Sequence, residues 1–253
     1  MKVPPLLPLT LGYWNIRGVV QPIRFALEVS KIPYVETLYV QKGSSHNPPF
    51  DKSCWFDVKE KLGMSFPNLP YLFDGDLKLS QSQAILRHVA RLSPSLELLG
   101  STPSSVALVD ELLSLYVDVK SRSTALQYNP GCKGPLPLSL VYGEGPTDLP
   151  ATLLRFERRL EHEAKAGRGP FFVGGRLTVA DLCMYEYFSS VAAYSAGVAL
   201  EAGREEGSNI LESVPRVKEF QSAVENIQEM KEYLASDRFR AVNKFNNQHA
   251  KFR

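Results

Sequence analysis

Residues 66–86 constrain the fold of this chain more than any other segment, because they set a proline, a tight turn and a helix start in one fixed order. Leu69-Pro70 opens a predicted strand, and Asp74-Gly75 is typical of the turn in a β-hairpin. The second strand leads into a helix that is predicted to run through Arg91. This order of strand, turn, strand and helix indicates one half of a small α/β domain.

The two ends of this segment can face the same ligand. Leu69-Pro70 is a candidate cis X–Pro bond, which would turn the backbone N–H and C=O of Leu69 outward for an extended peptide. Gln81 and Ser82 stand at a helix N-terminus, where free N–H groups and the helix dipole attract a carboxylate. Each piece alone has an ordinary explanation, since most X–Pro bonds are trans and a serine at a helix start is more often a cap. Together they favour a site for a small acidic peptide.

The N-terminal residues complete the domain. Leu9 to Trp14 predicts a strand, Gln21 to Val29 a helix with a proline in its first turn, and Tyr34 to Val40 a second strand. With the later hairpin and helix, this gives βαβ followed by ββα, the order of a thioredoxin-like α/β domain. A redox member would carry Cys-x-x-Cys after the first strand. This chain has Tyr-Trp-Asn-Ile at 13–16 instead, so disulfide exchange is not expected.

The second half of the chain predicts helices. Residues 93–105 are turn-rich and predict a linker, after which helical periodicity replaces the strand signals. Helices are predicted over 106–128, 149–166, 178–196, 214–227 and 230–239. The third begins at a capping box, Thr178-x-x-Asp181, to which we assign a structural role only. The predicted domains are a thioredoxin-like domain over 1–92 with an extension over 1–8, the linker over 93–105, and an all-helical domain over 106–253.

Composition narrows the class of protein. The 253 residues carry a formal net charge of +2, with 44% hydrophobic and 22% charged residues. The sequence has no cluster of Lys and Arg of the kind that would indicate nucleic-acid binding. Cys54, Cys132 and Cys183 are scattered, which suits a reducing compartment such as the cytoplasm and predicts no disulfide framework or zinc site. The four histidines have no metal-ligand spacing. Residues 1–9 are too short and too rich in proline to span a membrane and are interpreted as a disordered or surface-lying arm.

Three motifs carry a family resemblance. They are Leu-Gly-Tyr-Trp-Asn-Ile-Arg-Gly at 11–18, Trp55 with Lys59 four residues on, and Phe-Pro-Asn-Leu-Pro at 66–70 followed by Gln81-Ser82. They resemble cytosolic glutathione transferases of the mu class, and the resemblance covers nearly the whole chain. The tryptophan at 14 and the Trp55/Lys59 pair point to the mu class over the related pi class. The resemblance implies that glutathione is a co-substrate and that no cofactor is bound.

The resemblance also implies the roles of individual residues. Tyr13 would be catalytic, its phenol donating a hydrogen bond to the glutathione thiolate. A lone tyrosine at a strand end more often only packs, and the neighbouring peptide site is what favours catalysis here. The implied glutathione-binding residues are Tyr13, Trp14, Trp55, Lys59, Asn68, Leu69, Pro70, Gln81, Ser82 and, from the other subunit, Asp118.

A homodimer and an acceptor pocket follow from the same resemblance. Phe66, a large aromatic residue in a polar loop, matches one that inserts into the partner subunit, and Arg87 is assigned to the same interface. Val19 and Tyr128 are assigned to the pocket for an apolar electrophile. Three departures from the family pattern lie at 1–8, 131–150 and 197–213, and the second and third bear on that pocket.

The function predicted from the sequence is conjugation of glutathione to electrophilic small molecules in detoxification, without a nucleic-acid or membrane partner. Two alternatives remain open at this point. One is a non-enzymatic protein of the same fold that binds apolar ligands, against which the presence of Tyr13 argues. The other is a glutathione-dependent isomerase or peroxidase that uses the same thiolate.

Overall fold

The computed structural model describes residues 8–42, 51–127, 149–201, 203, 210–242 and 244. Several sequence predictions fall outside these ranges. They concern residues 1–7 of the N-terminal extension, Tyr128, residues 131–148 of the predicted loop enlargement, and residues 202 and 204–209 of the predicted added segment.

A mixed four-stranded sheet organises the N-terminal part of the chain, with the strand order β2-β1-β3-β4. The strands are β1 Leu9–Trp14, β2 Tyr34–Tyr39, β3 Tyr71–Asp74 and β4 Leu77–Ser80. β1 pairs in parallel with β2 and antiparallel with β3, and β3 pairs antiparallel with β4. The helices of this part are α1 Gln21–Val29, α2 Ser53–Phe56 and α3 Ser82–Arg91, and short 3₁₀ turns cover Lys59–Lys61 and Pro94–Leu96. The predicted thioredoxin-like α/β fold is confirmed.

The hairpin turn lies one residue later than the sequence predicts. Asp74 pairs with Leu77 and is the last residue of β3, so Gly75 and Asp76 make the two-residue turn. Gly75 has φ +57°, in the region that a two-residue hairpin turn requires and that glycine adopts without strain.

The rest of the described chain is helical, as predicted. The helices are α4 Pro103–Gln127, α5 Leu149–Lys165, α6 Val179–Glu201, α7 Pro215–Glu225, α8 Gln228–Ala235 and α9 Asp237–Arg240, with a 3₁₀ turn at Ile210–Ser213. The predicted helix over 230–239 is in fact two. The chain leaves helical geometry at Ser236, whose hydroxyl oxygen accepts a hydrogen bond from the Phe239 N–H and caps α9.

Helix α6 is the centre of the helical part and packs against α1, α4 and α7. It is apolar on almost every side, and Leu182, Met184 and Phe188 are fully buried. The helix continues through Glu201, beyond the predicted end near 196 and into the segment predicted to be an added loop. Val198 and Ala199 explain the difference, because both are fully buried and their packing holds the last turn together despite the glycine before them.

One hydrophobic core joins the sheet to the helices. Helix α1 lies between them, with Ile23, Phe25 and Leu27 fully buried, and it contacts α3, α6 and α8. In the ranges that the structure covers, no helix is long and apolar enough to cross a membrane.

The capping box that begins α6 is completely buried. The Asp181 carboxylate accepts hydrogen bonds from the backbone N–H of Thr178 at 2.7 Å, the Thr178 hydroxyl at 2.6 Å and the Phe172 N–H at 2.9 Å. Asp181 is fully buried, and its hydrogen bond to Phe172 ties the loop before α6 to the helix start. The box therefore has the structural role predicted from the sequence.

Substitution of Asp181 tests this role. Asp181→Ala leaves the N–H groups of Phe172 and Thr178 buried without an acceptor, so we expect the free energy of unfolding to fall by about 2–4 kcal/mol. Asp181→Asn keeps one acceptor oxygen and should lose less. Asp237→Ala, in the first turn of α9 with a fully exposed side chain, is the matched control and should change stability by less than about 0.5 kcal/mol. Urea denaturation measures all three. Equal losses for the two alanine variants would contradict this role.

Candidate active site

The strand register brings three separate pieces of the predicted site into one row. Gly12 lies opposite Tyr71 in the β1–β3 pair, and Tyr71 lies opposite Ser80 in the β3–β4 pair. The next residue beyond each pair is Tyr13, Pro70 and Gln81, so these three follow one another across the same end of the sheet. The Leu69-Pro70 peptide bond is cis, as predicted.

Tyr13 is enclosed by the loop that leads from β1 to α1. Its side chain is 8% exposed, and the backbone N–H of Val19 donates a hydrogen bond to its hydroxyl oxygen at 3.4 Å. A phenol that accepts an N–H bond is polarised and becomes a better donor in turn. The sequence assigned Val19 to a pocket wall; what the structure adds is this backbone contact to the phenol.

Gly18 makes the close approach of this loop possible. It has φ +48°, and a Cβ atom at this position would lie 2.6 Å from the Tyr13 hydroxyl oxygen. A side chain here would therefore collide with the phenol as well as strain the backbone.

A second, smaller core of aromatic residues supports the predicted glutathione residues. Tyr39, Trp55 and Tyr71 form this aromatic cluster, and Trp14 and Leu69 pack against it. The Trp55 and Tyr71 rings stack at 6.2 Å, and the Tyr39 and Tyr71 hydroxyls lie 3.1 Å apart. Trp14, Tyr39, Trp55 and the Leu69–Tyr71 segment, which are far apart in the sequence, thus meet in this cluster.

Sequence reasoning missed Tyr71. Its ring covers Gly12, where a Cβ atom would lie 2.1 Å from the ring, so the two residues depend on each other. A glycine in the middle of a strand is the sequence signal that a neighbouring group approaches the backbone closely.

The backbone of Leu69 differs from the expectation that both its polar groups face outward. Its N–H donates a hydrogen bond to the Asn68 side-chain oxygen at 2.9 Å. A peptide that uses this N–H must displace that oxygen, which links the two residues, Asn68 and Leu69, that the sequence assigned to the same ligand.

The start of α3 is open to a ligand. Ser82 is the first helical residue and Gln81 the N-cap, and within the described part of the chain no side-chain hydrogen bond caps this terminus. Ser82 therefore does not have the ordinary capping role that was the alternative explanation for it. Gln81 has φ +75° and ψ +110°, a conformation that costs a residue with a side chain about 1–3 kcal/mol and that clusters at functional sites.

The remaining predicted residues lie on the surface or at its edge. The Lys59 ammonium lies 3.5 Å from a Glu60 carboxylate oxygen, and the Lys59 side chain is 28% exposed. Asp118 is exposed on α4, and Phe66 is 79% exposed. Arg87 donates hydrogen bonds at 2.7 and 3.1 Å to one Asp110 carboxylate oxygen, so it joins α3 to α4 within the chain.

A group of buried polar residues near Tyr13 was not identified from the sequence. Tyr116 and Lys120 lie one turn apart on α4, and Glu186 lies on α6. All three are almost completely buried, and burial raises the pKa of Tyr116 and Glu186 and lowers that of Lys120. The signal in the sequence is Glu186, the one charged residue between Asp181 and Glu201 of α6. In the described ranges no group of three His, Cys, Asp or Glu side chains is placed to hold a metal ion.

Family models match both halves of the chain. The model of the glutathione S-transferase N-terminal domain matches residues 9–91, and a model of the glutathione S-transferase C-terminal domain matches residues 146–237. Among curated proteins, glutathione S-transferase Mu 1 of Macaca fascicularis is 34% identical over 92% of this chain and 93% of its own length. Glutathione S-transferase B of Cavia porcellus is 35% identical, and Mu 2 of Homo sapiens is 33% identical, with the same coverage.

Solved structures show the same fold. The crystal structure of the glutathione S-transferase Blo t 8 matches with a TM-score of 0.66 and 26% identity over 95% of this chain and 98% of that one. The pi-class glutathione S-transferase of Onchocerca volvulus matches with a TM-score of 0.71 and 22% identity, over 96% of this chain and 100% of that one.

A pair of glycine variants tests how the loop encloses Tyr13. In Gly18→Ala the new methyl group should push the phenol away and break the Val19 N–H bond, so amide hydrogen exchange at Val19 should speed up by about tenfold or more. Gly75→Ala is the matched control, because its φ is also positive but no atom lies within 4 Å of the new Cβ. Both variants should lose about 1 kcal/mol of stability from backbone strain. Unchanged Val19 exchange in Gly18→Ala would contradict this enclosure.

Proposed function

The chain belongs to the glutathione S-transferase family, and from that premise we propose that it acts in detoxification, with Tyr13 activating the glutathione thiol. The relatives named above are glutathione S-transferases at 33–35% identity, two of them Mu by name, so this chain is a glutathione S-transferase. The observation that carries the proposal is the row of Tyr13, Pro70 and Gln81 across one end of the sheet. The row places the Tyr13 phenol, the backbone at Leu69-Pro70 and the uncapped N-terminus of α3 close enough together for one tripeptide to contact all three.

Glutathione would lie along this row. The backbone of Leu69 would pair with the cysteinyl unit, and the N-terminus of α3 at Gln81 and Ser82 would hold the γ-glutamyl carboxylate. Lys59 would pair with the glycine carboxylate, and Trp55 would add its indole N–H as a donor. Residues 1–92 are accordingly assigned to glutathione and residues 106–253 to the acceptor.

Tyr13 would stabilise the thiolate through a hydrogen bond from its phenol. A hydrogen bond to a charged group is worth about 1.5–3 kcal/mol, which corresponds to about one to two units of the thiol pKa. The thiol gives its proton to solvent, the thiolate sulfur attacks an electrophilic carbon, and the new C–S bond replaces the bond to a leaving group such as chloride, which departs as the anion. This chemistry needs no resident cofactor. The two free cysteines in the described ranges, Cys54 and Cys183, suit a reducing cytoplasmic location.

Removing the phenol hydroxyl tests the mechanism. Tyr13→Phe should keep glutathione affinity within about twofold but lower kcat/KM with 1-chloro-2,4-dinitrobenzene by about ten- to a hundredfold, because only the bond to the thiolate is lost. The apparent pKa in the pH–rate profile should rise by about one to two units.

The control for this variant is Tyr34→Phe. Tyr34 lies at the far end of β2 and donates its own hydrogen bond to Glu28 at 2.6 Å, so its loss should leave the profile unchanged. Superimposable profiles of Tyr13→Phe and the wild type would reject Tyr13 as the activating group. Absence of conjugation by the wild type would reject the proposed function itself.

The proposed assembly is a homodimer in which Phe66 of each subunit enters the other. Phe66 is 79% exposed, although its loop is anchored by the Ser80 hydroxyl, which donates to the Phe66 carbonyl at 2.7 Å. A large aromatic side chain held out by an ordered loop is suited to an interface anchor. Asp118 of the partner subunit would then complete the glutathione site.

Phe66→Ser tests this assembly. Truncation of an aromatic anchor costs about 2–4 kcal/mol, and the contact occurs twice in a symmetric dimer, so association should weaken by several orders of magnitude. Sedimentation at low micromolar concentration should show monomers. Glutathione affinity should fall as well, because Asp118 of the other subunit no longer reaches the glutathione site. Phe56→Ser removes another exposed phenylalanine, 57% exposed, and should stay dimeric. A Phe66→Ser protein that is fully dimeric and normally active would exclude this anchor.

A further inference from the structure

Arg24 is a charged residue that the structure buries completely, and it holds the loop that encloses Tyr13. It belongs to α1, and its side chain has no exposed surface. Its Nε donates a hydrogen bond to a Glu36 carboxylate oxygen on β2 at 2.7 Å, and its Nη1 donates to the Ile16 carbonyl at 3.0 Å. One guanidinium thus connects α1, the edge strand of the sheet and the enclosing loop.

Gln21 fixes the same guanidinium from the side of the helices. Its side-chain oxygen accepts a hydrogen bond from the Arg24 Nη1 at 3.0 Å, and its Nε2 donates to the Tyr233 hydroxyl on α8 at 3.4 Å. Gln21 is itself fully buried. We define the Arg24 brace as Arg24 with Gln21 and Glu36. The brace is anchored on α8 and on β2, and it holds the loop between these two elements.

Stability alone does not account for an arginine at this position. Its remaining nitrogen, Nη2, is buried and has no hydrogen-bond partner in the described part of the chain. Burial of a guanidinium with an unpaired nitrogen is costly, and apolar residues of similar volume often replace buried ion pairs without loss of stability. An apolar side chain cannot supply the rigid fork of donors that reaches Glu36 and the Ile16 carbonyl at once. The arrangement therefore indicates a need for fixed geometry in the loop.

The enclosing loop carries this geometry to the phenol. Ile16, which the brace holds, is three residues before Val19, whose N–H donates to the Tyr13 hydroxyl oxygen at 3.4 Å. Gly18 lies between them and approaches the phenol so closely that a Cβ atom would lie 2.6 Å from the hydroxyl oxygen. Because the loop contacts the phenol at two successive residues, a shift at Ile16 moves the N–H group that polarises the hydroxyl.

We propose that Arg24 is a positioning residue for the conjugation reaction: through Ile16 it holds the Val19 N–H on the Tyr13 hydroxyl and so aims the phenol at the thiolate. The inference rests on the proposed function and adds a residue that acts through the loop. The other explanation is purely structural, in which Arg24 supports the fold and its loss acts only by lowering stability. The two explanations differ in whether the effect of Arg24 depends on the Tyr13 hydroxyl.

Arg24→Lys tests this role. Lysine keeps a cation beside Glu36 but lacks the fork that also reaches the Ile16 carbonyl. At neutral pH, kcat/KM with 1-chloro-2,4-dinitrobenzene should fall by about five- to tenfold, while glutathione affinity stays within about twofold. The apparent pKa in the pH–rate profile should rise by about one unit, because the thiolate is stabilised less. The deficit should therefore shrink at high pH, where the thiol ionises without help, and lower stability alone would not produce this pattern.

A double-mutant cycle gives the decisive comparison. In the Tyr13→Phe background, Arg24→Lys should lower kcat/KM by less than about twofold, because the hydroxyl that Arg24 positions is already absent. A purely structural role predicts the same loss of about five- to tenfold in both backgrounds. Urea denaturation checks that each variant is folded under the assay conditions.

Arg159→Lys is the matched control. Arg159 on α5 also joins a backbone carbonyl to a glutamate. It donates to the Phe172 carbonyl at 3.1 and 3.2 Å, and its Nη2 lies 3.3 Å from a Glu163 carboxylate oxygen. Both groups that it holds belong to the helical part of the chain, so its substitution should leave the pH–rate profile unchanged.

Amide hydrogen exchange at Val19 tests the brace without any turnover. Exchange should speed up by about tenfold or more in Arg24→Lys and stay within about twofold of the wild type in Arg159→Lys. If Arg24→Lys does not fold, Glu36→Gln takes its place. Glutamine keeps an acceptor for the Arg24 Nε but loses the charge, so Val19 exchange should speed up by about threefold.

Unchanged Val19 exchange, or equal losses of kcat/KM in the two backgrounds, would overturn the inference and leave the proposed function intact. Failure of the proposed function has a different signature. It would appear as absence of conjugation by the wild type, or as superimposable pH–rate profiles of Tyr13→Phe and the wild type. In that case Val19 exchange still decides whether Arg24 holds the loop.

Discussion

The pairing of β1 with β3 and of β3 with β4 is the constraint on which the rest of this structure depends. Because these pairs are antiparallel and in fixed register, they place Tyr13, Pro70 and Gln81 side by side although 68 residues of sequence separate the first from the last. A slip of one residue would turn each of these side chains to the other face of the sheet. Tyr71 locks the register, because its ring fits over Gly12 and stacks on Trp55.

The helical part holds this sheet in place from the other side. α1 is buried between the sheet and α6, so the loop that encloses Tyr13 is fixed at its far end by the main hydrophobic core. The buried capping box fixes the start of α6, and the Arg87–Asp110 pair joins α3 to α4. The geometry around the Tyr13 hydroxyl therefore depends on packing far from it, which suits a hydrogen bond that must be aimed before the ligand arrives.

Two kinds of polar group meet in the proposed site, and the physics of each is different. At the α3 terminus, backbone N–H groups lie at the surface and attract an anion through the helix dipole. On α4 and α6, Lys120 and Glu186 are held away from water, where an unpaired charge is far more costly. The first arrangement is common to many helix ends. The second is uncommon, since charged side chains are almost never fully buried unless they are paired.

The sequence by itself determined the class of fold and the order of its elements, and it predicted the residues of the proposed glutathione site. These follow from local chemistry: Pro70 at a strand start, Gly75 in a turn and the Thr178–Asp181 box each act over a few residues. Only the tertiary structure decided where α6 ends, because burial of Val198 and Ala199 overrides the local signal after Ala196. It alone also revealed the Leu69 N–H bond to Asn68 and the burial of Glu186. Both depend on which atoms meet in space, and no periodicity along the chain records that.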